Sequence, residues 1–221
     1  MPPEPRRLLL GKHRMNRTRK IVVLADSGFA KSVIGAAQLA DFVVEAVYVD
    51  DASRWGQSVL GVPLVGPLDR AVDASLPAVV AIIDNAMREA VVARLALEWV
   101  TIIHPRAYVP PSALVGEGSI LFAGAVVQPG VRIGAHVIVS PNSTVAHDCI
   151  IEDFVYLAPG VDLAGTVHVC RGVCLDAGAV VGPNRTIGAG TRVGPRGVVI
   201  RDLPAGVSAE GAPARVVRGL R

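Results

Sequence analysis

The hydrophobic pattern of the chain changes its period near residue 100. Before that point, apolar runs such as KIVVLA, FVVEAVYV and AVVAII alternate with amphipathic stretches of helical period. Strands and helices that alternate in this order predict a parallel sheet with right-handed crossovers. We therefore expect a small Rossmann-like α/β domain over residues 20–100, preceded by a basic tail over residues 1–19.

From Ile103 onward, a branched aliphatic residue recurs at every sixth position without a miss. The positions are Ile103, Val109, Val115, Leu121, Val127, Ile133, Val139, Val145, Ile151, Leu157, Leu163, Val169, Leu175, Val181, Ile187, Val193 and Val199. A period of six indicates a repeated short strand and turn. Three such units would close a triangular coil of about eighteen residues that stacks on the next coil. The pattern predicts a parallel β-helix over residues 101–203, with a C-terminal extension over residues 204–221.

The composition fits a fold of thin, repetitive layers, and it also bears on where in the cell the protein is located. The chain is 51% hydrophobic but only 4% aromatic, with 23 glycines and 16 prolines. No apolar run approaches the roughly 18 residues of a membrane span, so we expect no span and a cytoplasmic protein. Three cysteines give no even disulfide framework. His168, Cys170 and Cys174 would lack a fourth zinc ligand, and no metal is predicted.

The positive charge of the chain is concentrated at its start. The formal net charge is +3, yet residues 1–20 carry seven Lys or Arg against a single acid, so the rest of the chain is net acidic. A net acidic body does not match a nucleic-acid-binding surface. We expect no nucleic-acid partner and interpret the tail as a solvated extension.

Several motifs resemble one known family. The hexads VGEGSI, IGAHVI and IGAGTR resemble the left-handed β-helix of hexapeptide-repeat acyltransferases. The whole chain after Lys20 further resembles the sugar-nucleotide N-acyltransferases and their sialic-acid O-acetyltransferase relatives. The motifs are VVLADSGFAKSV, VDD, AIIDNAMR, IHPRAYVPPSALVGEG, STVAHDC and EGAPARVV. The resemblance implies a left-handed coil, acetyl-CoA as co-substrate and a homotrimer.

The stretch STVAHDCIIED holds the strongest catalytic candidate. His147 is the third residue of its hexad and should point away from the coil interior, and imidazole can act as a base near neutral pH. Gly165 lies one coil further along the chain, where a glycine leaves its N–H accessible to a developing oxyanion. The resemblance implies that His147 is the general base and that Asp148 assists it. It also implies acetyl-CoA contacts at Tyr156, Gly165, Ala177 and Pro195. By contrast, we expect His136 and His168 to be solvated surface residues.

The N-terminal domain holds the candidates for substrate binding. The stretch ADSGFAK resembles the family's phosphate loop at a helix start. Asp50 and Asp51 follow a predicted strand and match the family's nucleotide-contacting pair, although a solvated turn explains them equally well. Asp84 and Asn85 end the third strand at the same edge. The candidate substrate-binding residues are Ser27, Gly28, Phe29, Asp50, Asp51, Asp84 and Asn85.

These features favour an acetyl-CoA-dependent N-acetyltransferase that acts on the amine of a nucleotide-linked amino sugar. A sugar O-acetyltransferase is the nearest alternative, because a hydroxyl could replace the amine at the same base. A β-helical scaffold that binds sugar nucleotides without chemistry is a second alternative. An NAD-dependent oxidoreductase is disfavoured, since no G-x-G-x-x-G occurs at LADSGFA.

Overall fold

The computed structural model describes residues 19–25 and 28–217. Residues 1–18 of the predicted tail, the candidate Ser27 and the final residues 218–221 lie outside this part of the chain. Among the described residues, no helix has the length and apolar character needed to cross a membrane.

The N-terminal part is a five-stranded sheet with helices packed on it. Strand β1 (Arg19–Ala25) is parallel to both of its neighbours, β2 (Phe42–Tyr48) and β5 (Ala78–Ala81). With β3 (Ser58–Val59) and β4 (Val62–Val65), the strand order is β3-β4-β2-β1-β5. Only the β3–β4 pair is antiparallel within this sheet. The elements are β1 (Arg19–Ala25), α1 (Phe29–Leu39), β2 (Phe42–Tyr48), a 3-10 helix (Ala52–Arg54), β3 (Ser58–Val59), β4 (Val62–Val65), a second 3-10 helix (Leu68–Ala74), β5 (Ala78–Ala81) and α2 (Asn85–Arg94).

The remaining strands are short and wind into a triangular β-helix. The strands are β6 (Ile102–Ile103), β7 (Leu114–Val115), β8 (Ile120–Leu121), β9 (Val126–Val127), β10 (Arg132–Ile133), β11 (Ile138–Val139), β12 (Thr144–Val145), β13 (Ile150–Ile151), β14 (Tyr156–Leu157), β15 (Asp162–Leu163), β16 (His168–Val169), β17 (Cys174–Leu175), β18 (Val180–Val181), β19 (Thr186–Ile187), β20 (Arg192–Val193), β21 (Val198–Val199), β22 (Ser208–Glu210) and β23 (Arg215–Val217).

These strands form three faces. Face 1 contains β6, β8, β11, β14, β17, β20 and β22, and β23 pairs antiparallel at its end. Face 2 contains β9, β12, β15, β18 and β21, and face 3 contains β7, β10, β13, β16 and β19. The chain turns from face 1 to face 2 at the first corner, from face 2 to face 3 at the second corner, and from face 3 back to face 1 at the third corner.

The inner residue of each two-residue strand is the predicted aliphatic of its hexad. Val139 pairs in register with Leu121 on one side and Leu157 on the other, and all three are fully buried. Burying each such side chain contributes roughly 1.5 to 3 kcal/mol before chain entropy is subtracted. The sixfold pattern therefore forms one continuous core along the coil axis.

The two domains share a second hydrophobic core. The outward-facing residues Ile102, Ile120 and Ile138 of face 1 are buried in the same cluster as the apolar side of α1. Phe29 at the start of α1 also contacts Phe122 at the first corner, with ring centroids 5.7 Å apart. This apolar surface fixes the N-terminal domain on face 1 and leaves the second corner uncovered by it.

Candidate active site

His147 lies at the second corner, directly after β12. Its side chain is 60% exposed, and its Nδ1 lies 2.9 Å from Oδ2 of Asp148. Because a carboxylate only accepts hydrogen bonds, a neutral imidazole in this contact carries its proton on Nδ1 and its lone pair on Nε2. His147 therefore has the tautomer that a base acting through Nε2 requires.

The corner backbone holds this pair in place. Asp148 has a left-handed conformation with φ of 61°, which aspartate tolerates better than most residues. Its carboxylate lies against Gly130 in the preceding coil, where any Cβ would overlap with Oδ1. The His147 N–H donates to Oε1 of Gln128 over 3.2 Å. The preceding coil thus supports both the histidine backbone and its acidic partner.

Gly165 lies next to the imidazole, one coil further on. A Cβ at Gly165 would be only 2.5 Å from Nε2 of His147 and 2.7 Å from its Cε1, so the ring occupies the space that the missing side chain leaves. The carbonyl oxygens of His147 and Gly165 accept hydrogen bonds from the next coil. The Thr166 N–H donates to His147 O, and the Asn184 N–H donates to Gly165 O. Within the described residues, the Gly165 N–H has no protein acceptor. The Nε2 side of the ring therefore packs against a glycine whose N–H has no acceptor among the described residues.

The other predicted acetyl-CoA contacts lie away from His147. Ala177 and Pro195 are exposed and stack one coil apart at the first corner, where the Arg196 N–H donates to Ala177 O over 2.9 Å. Tyr156 lies on face 1, half-buried against both hydrophobic cores, and burial raises the pKa of its phenol. Face 2 separates these positions from the second corner within one chain.

At the N-terminal edge, the residues of the resembling loop are only partly described. Gly28 precedes α1, and among the described residues beyond its chain neighbours no atom lies within 4 Å of the position where its Cβ would be. Phe29 contacts Phe122 of the β-helix, so part of its ring has a structural role. Ser27 lies outside the described residues.

Asp50 and Asp51 both have protein partners after β2. Oδ1 of Asp50 accepts from the Leu68 N–H over 2.9 Å. Asp51 caps the first 3-10 helix by accepting from the N–H and hydroxyl of Ser53, and these hydrogen bonds lower the pKa of its carboxyl. Both carboxylates remain exposed, and each is already oriented by its partner.

Asp84 and Asn85 begin α2 and play different structural roles. Asp84 is the N-cap and accepts from the Met87 N–H over 2.8 Å. The Asn85 amide instead reaches the β-helix, donating to the carbonyl oxygens of Gly172 and Val173 over 2.9 and 3.1 Å. Asn85 therefore joins the two domains.

Sequence reasoning missed the central contact of this junction, Arg88 of α2. Its side chain is buried, with 1% exposure, and burial lowers the pKa of the guanidinium to about 10. A buried cation is tolerated when its donors are fully hydrogen-bonded. The guanidinium donates over 2.7 to 2.9 Å to the carbonyl oxygens of Ile82, Ile83, His136 and Phe154 and to Oδ1 of Asn85.

The expectation that His136 is a solvated surface residue is wrong. The α/β domain covers the third corner, so His136 is 3% exposed, stacked on Phe154 with centroids 5.2 Å apart and edge-on to Trp99 at 5.1 Å. Burial, followed by the nearby charge of Arg88, lowers its pKa to about 4. His168 is half-buried, and its Nε2 lies 2.7 Å from Oε1 of Glu152. Neither is a free surface histidine.

Comparison with known families and structures gives a consistent result. The family model "PglD N-terminal domain" matches residues 20–95, and "Bacterial transferase hexapeptide (six repeats)" matches residues 112–147. GDP-perosamine N-acetyltransferase from Escherichia coli O157:H7 is 35% identical over 147 residues, which are 63% of this chain and 66% of that protein. The chain thus spans slightly less than two thirds of the length of this curated relative.

Two solved structures match nearly the whole chain. One is a histidine variant of perosamine N-acetyltransferase from Caulobacter crescentus in complex with CoA and GDP-perosamine, with 36% identity, 90% of this chain and 97% of that chain covered, and a TM-score of 0.84. Another is the acetyltransferase domain of PglB from Neisseria gonorrhoeae FA1090 in complex with acetyl coenzyme A, with 31% identity, 91% and 100% coverage, and a TM-score of 0.80. These matches confirm the predicted fold class, a Rossmann-like domain followed by a left-handed parallel β-helix.

Proposed function

Since the chain belongs to the hexapeptide-repeat acyltransferases of the sugar-nucleotide N-acetyltransferase group, we propose that it transfers the acetyl group of acetyl-CoA to the amine of a nucleotide-linked amino sugar. The observation that supports this function most directly is the packing of His147 Nε2 against Gly165 at an exposed corner, where the Gly165 N–H has no protein acceptor among the described residues. Because the matched proteins from Escherichia coli O157:H7 and Caulobacter crescentus are named for, or solved with, GDP-perosamine, a GDP-linked amino sugar is the first substrate to test.

The chemistry needs a single attack on the thioester. The lone pair of the sugar amine attacks the carbonyl carbon of acetyl-CoA, and a proton of the amine passes to Nε2 of His147. The Gly165 N–H donates to the oxyanion that forms on the carbonyl oxygen, and one such donor is worth roughly 3 kcal/mol. The tetrahedral intermediate then breaks its C–S bond, and the leaving CoA thiolate takes the proton from the imidazolium. Asp148 stabilises the charged ring and keeps its orientation.

We propose that a second copy of the chain completes the acetyl-CoA site in a homotrimer. Gly165 lies at the second corner, whereas Ala177 and Pro195 lie at the first corner across face 2, so one chain does not bring these positions together. A groove between the second corner of one copy and the first corner of its neighbour would bring Gly165 of one chain close to Ala177 and Pro195 of the other. Sedimentation of the full-length protein at about three times its chain mass of 23.0 kDa is expected, and a monomer that retains full activity would contradict the proposal.

A thiol-release assay tests the reaction. Acetyl-CoA would be combined with GDP-, UDP- and dTDP-linked amino sugars and with the matching hydroxyl sugars, and the products would be examined by mass spectrometry. We expect CoA release only with an amino sugar, together with an amide product that resists mild alkaline hydrolysis. An ester product would favour O-acetylation. No release across the panel, despite intact acetyl-CoA binding, would favour a non-catalytic scaffold.

A further inference from the structure

We propose that Glu152, His168 and Cys170 form a binding site for a divalent transition metal such as zinc, separate from the acetyl-transfer site. One carboxylate oxygen, one imidazole nitrogen and the thiol sulfur of these residues all lie within 4.8 Å of one another. Nε2 of His168 is 2.7 Å from Oε1 of Glu152 and 3.9 Å from Sγ of Cys170. All three side chains are half-buried, so a solvated ion can reach them.

Coil stacking brings these residues together. Glu152 follows β13 at the start of the third corner, and Cys170 occupies the equivalent position one coil later, directly over it. His168 is the outward residue of β16, which pairs in register with β13. The Glu152 N–H donates to Val169 O over 2.9 Å, which fixes the stacking of the two coils at this point. The cluster is therefore a consequence of the repeat and does not depend on a flexible loop.

The donor set suits zinc in charge and in chemistry. Nitrogen, sulfur and carboxylate oxygen are the three ligand types that zinc binds in proteins. A carboxylate and a thiolate supply two negative charges to a divalent ion, while the imidazole stays neutral with its proton on Nδ1. Binding would release one proton, from the thiol of Cys170. A water molecule would supply the fourth ligand on the exposed side.

The distances are close to those of a tetrahedral site. Bonds of about 2.0 to 2.3 Å from zinc to its ligands place neighbouring donor atoms roughly 3.3 to 3.8 Å apart. The histidine and glutamate atoms would need to separate by about 0.7 Å, and the histidine nitrogen and the sulfur would need to approach by about 0.4 Å. The second carboxylate oxygen of Glu152 accepts from the Arg171 N–H over 2.8 Å, which orients the ligand as an outer hydrogen bond commonly does in metal sites.

No nearby charged side chain blocks metal binding by Glu152, His168 and Cys170 within the described residues. The guanidinium of Arg171 points to Glu89 and Asp153, at 2.7 and 2.9 Å, and does not pair with Glu152. Cys174, the third member of the zinc set that the sequence analysis did not favour, lies on face 1, where its thiol donates to Asp176. Glu152 supplies the third ligand of the proposed site instead. His147 lies at another corner, so occupation of this site need not affect acetyl transfer.

Cobalt spectroscopy on the full-length, chelator-treated protein tests the site. Cobalt(II) substitutes for zinc and gives a near-ultraviolet charge-transfer band only when a thiolate is a ligand. We expect this band at one cobalt per chain in the wild type and in Cys174→Ser, and its loss in Cys170→Ser. His168→Ala and Glu152→Gln should each weaken zinc binding at least tenfold in competition with a chromogenic chelator.

The matched serine variants make the result decisive, provided that both melt at the wild-type temperature. Absence of the band in the wild type would overturn the proposal, as would a band that Cys174→Ser removes and Cys170→Ser retains. The rate of acetyl transfer should stay the same with and without chelator. Because metal binding is read without any substrate, failure of this proposal is distinguishable from failure of the proposed function.

Discussion

The second and third corners of the β-helix are built from the same repeat but have opposite surroundings. At the second corner, His147 is mostly exposed, paired with Asp148 and packed against Gly165. At the third corner, His136 is buried between Trp99 and Phe154 beneath the α/β domain. The repeat sets the direction of each side chain, whereas the docked domain decides whether that side chain meets solvent. Reactivity in this fold therefore depends on what covers a corner.

The largest expected effect separates the two histidines by activity. We expect His147→Asn to lower kcat/KM for acetyl transfer by about 10² to 10⁴, because it removes the base. Its melting temperature should hardly change, since the side chain is largely exposed. The matched variant His136→Asn should keep kcat/KM near the wild-type value, because His136 is buried away from the second corner. Thiol release measures the activity of both variants, and a fully active His147→Asn enzyme would remove the base assignment.

The second prediction concerns the contact that covers the third corner. Arg88→Met should lower the free energy of unfolding by about 3 to 5 kcal/mol, because it leaves several buried carbonyl oxygens without donors. Arg94 in the same helix is a suitable control, since it is partly exposed and pairs with Asp69 at 2.9 Å. Arg94→Met should cost less than about 1 kcal/mol. Urea denaturation measures both, and equal losses would show that the buried arginine does not hold the junction.

The core of the β-helix could be predicted from sequence because its period is short and uninterrupted. Each inward aliphatic is set by local chain geometry and by the same position one coil away, as Leu121, Val139 and Leu157 illustrate. The surface of face 1 that packs against the N-terminal domain repeats with the same spacing of one coil. The outward-facing residues Ile102, Ile120 and Ile138 form an apolar row, one residue in each coil. Apolar residues that repeat at outward positions once per coil are the sequence signal that could have located the domain interface.

The domain junction and the polar site residues were harder to predict. Arg88 lies on a helix whose pattern gives no sign that a second domain covers it, so its burial depends on docking. Asp51 and Asp84 are residue types favoured both as caps and as ligand contacts, and in the structure both cap helices. Their predicted roles in substrate binding stay predictions, as do the roles of His147 and Gly165.

The smallest expected effect is a pH dependence specific to the covered corner. His136 has a pKa of about 4 in the folded protein against an ordinary value of 6.5, chiefly because burial disfavours the charged ring and Arg88 repels it, while Asp153 opposes the shift. Between these values the unfolded chain binds more protons than the folded one, so stability falls as the pH falls from 6.5 toward 4. From pH 7 to pH 5, His136 should lower the free energy of unfolding by about 2 kcal/mol.

The variant His136→Asn tests this, because asparagine suits the left-handed backbone at φ of 54°. Its free energy of unfolding, measured by urea titration, should depend less on pH than that of the wild type. A wild-type slope in His136→Asn would show that the buried imidazole is not the group that titrates.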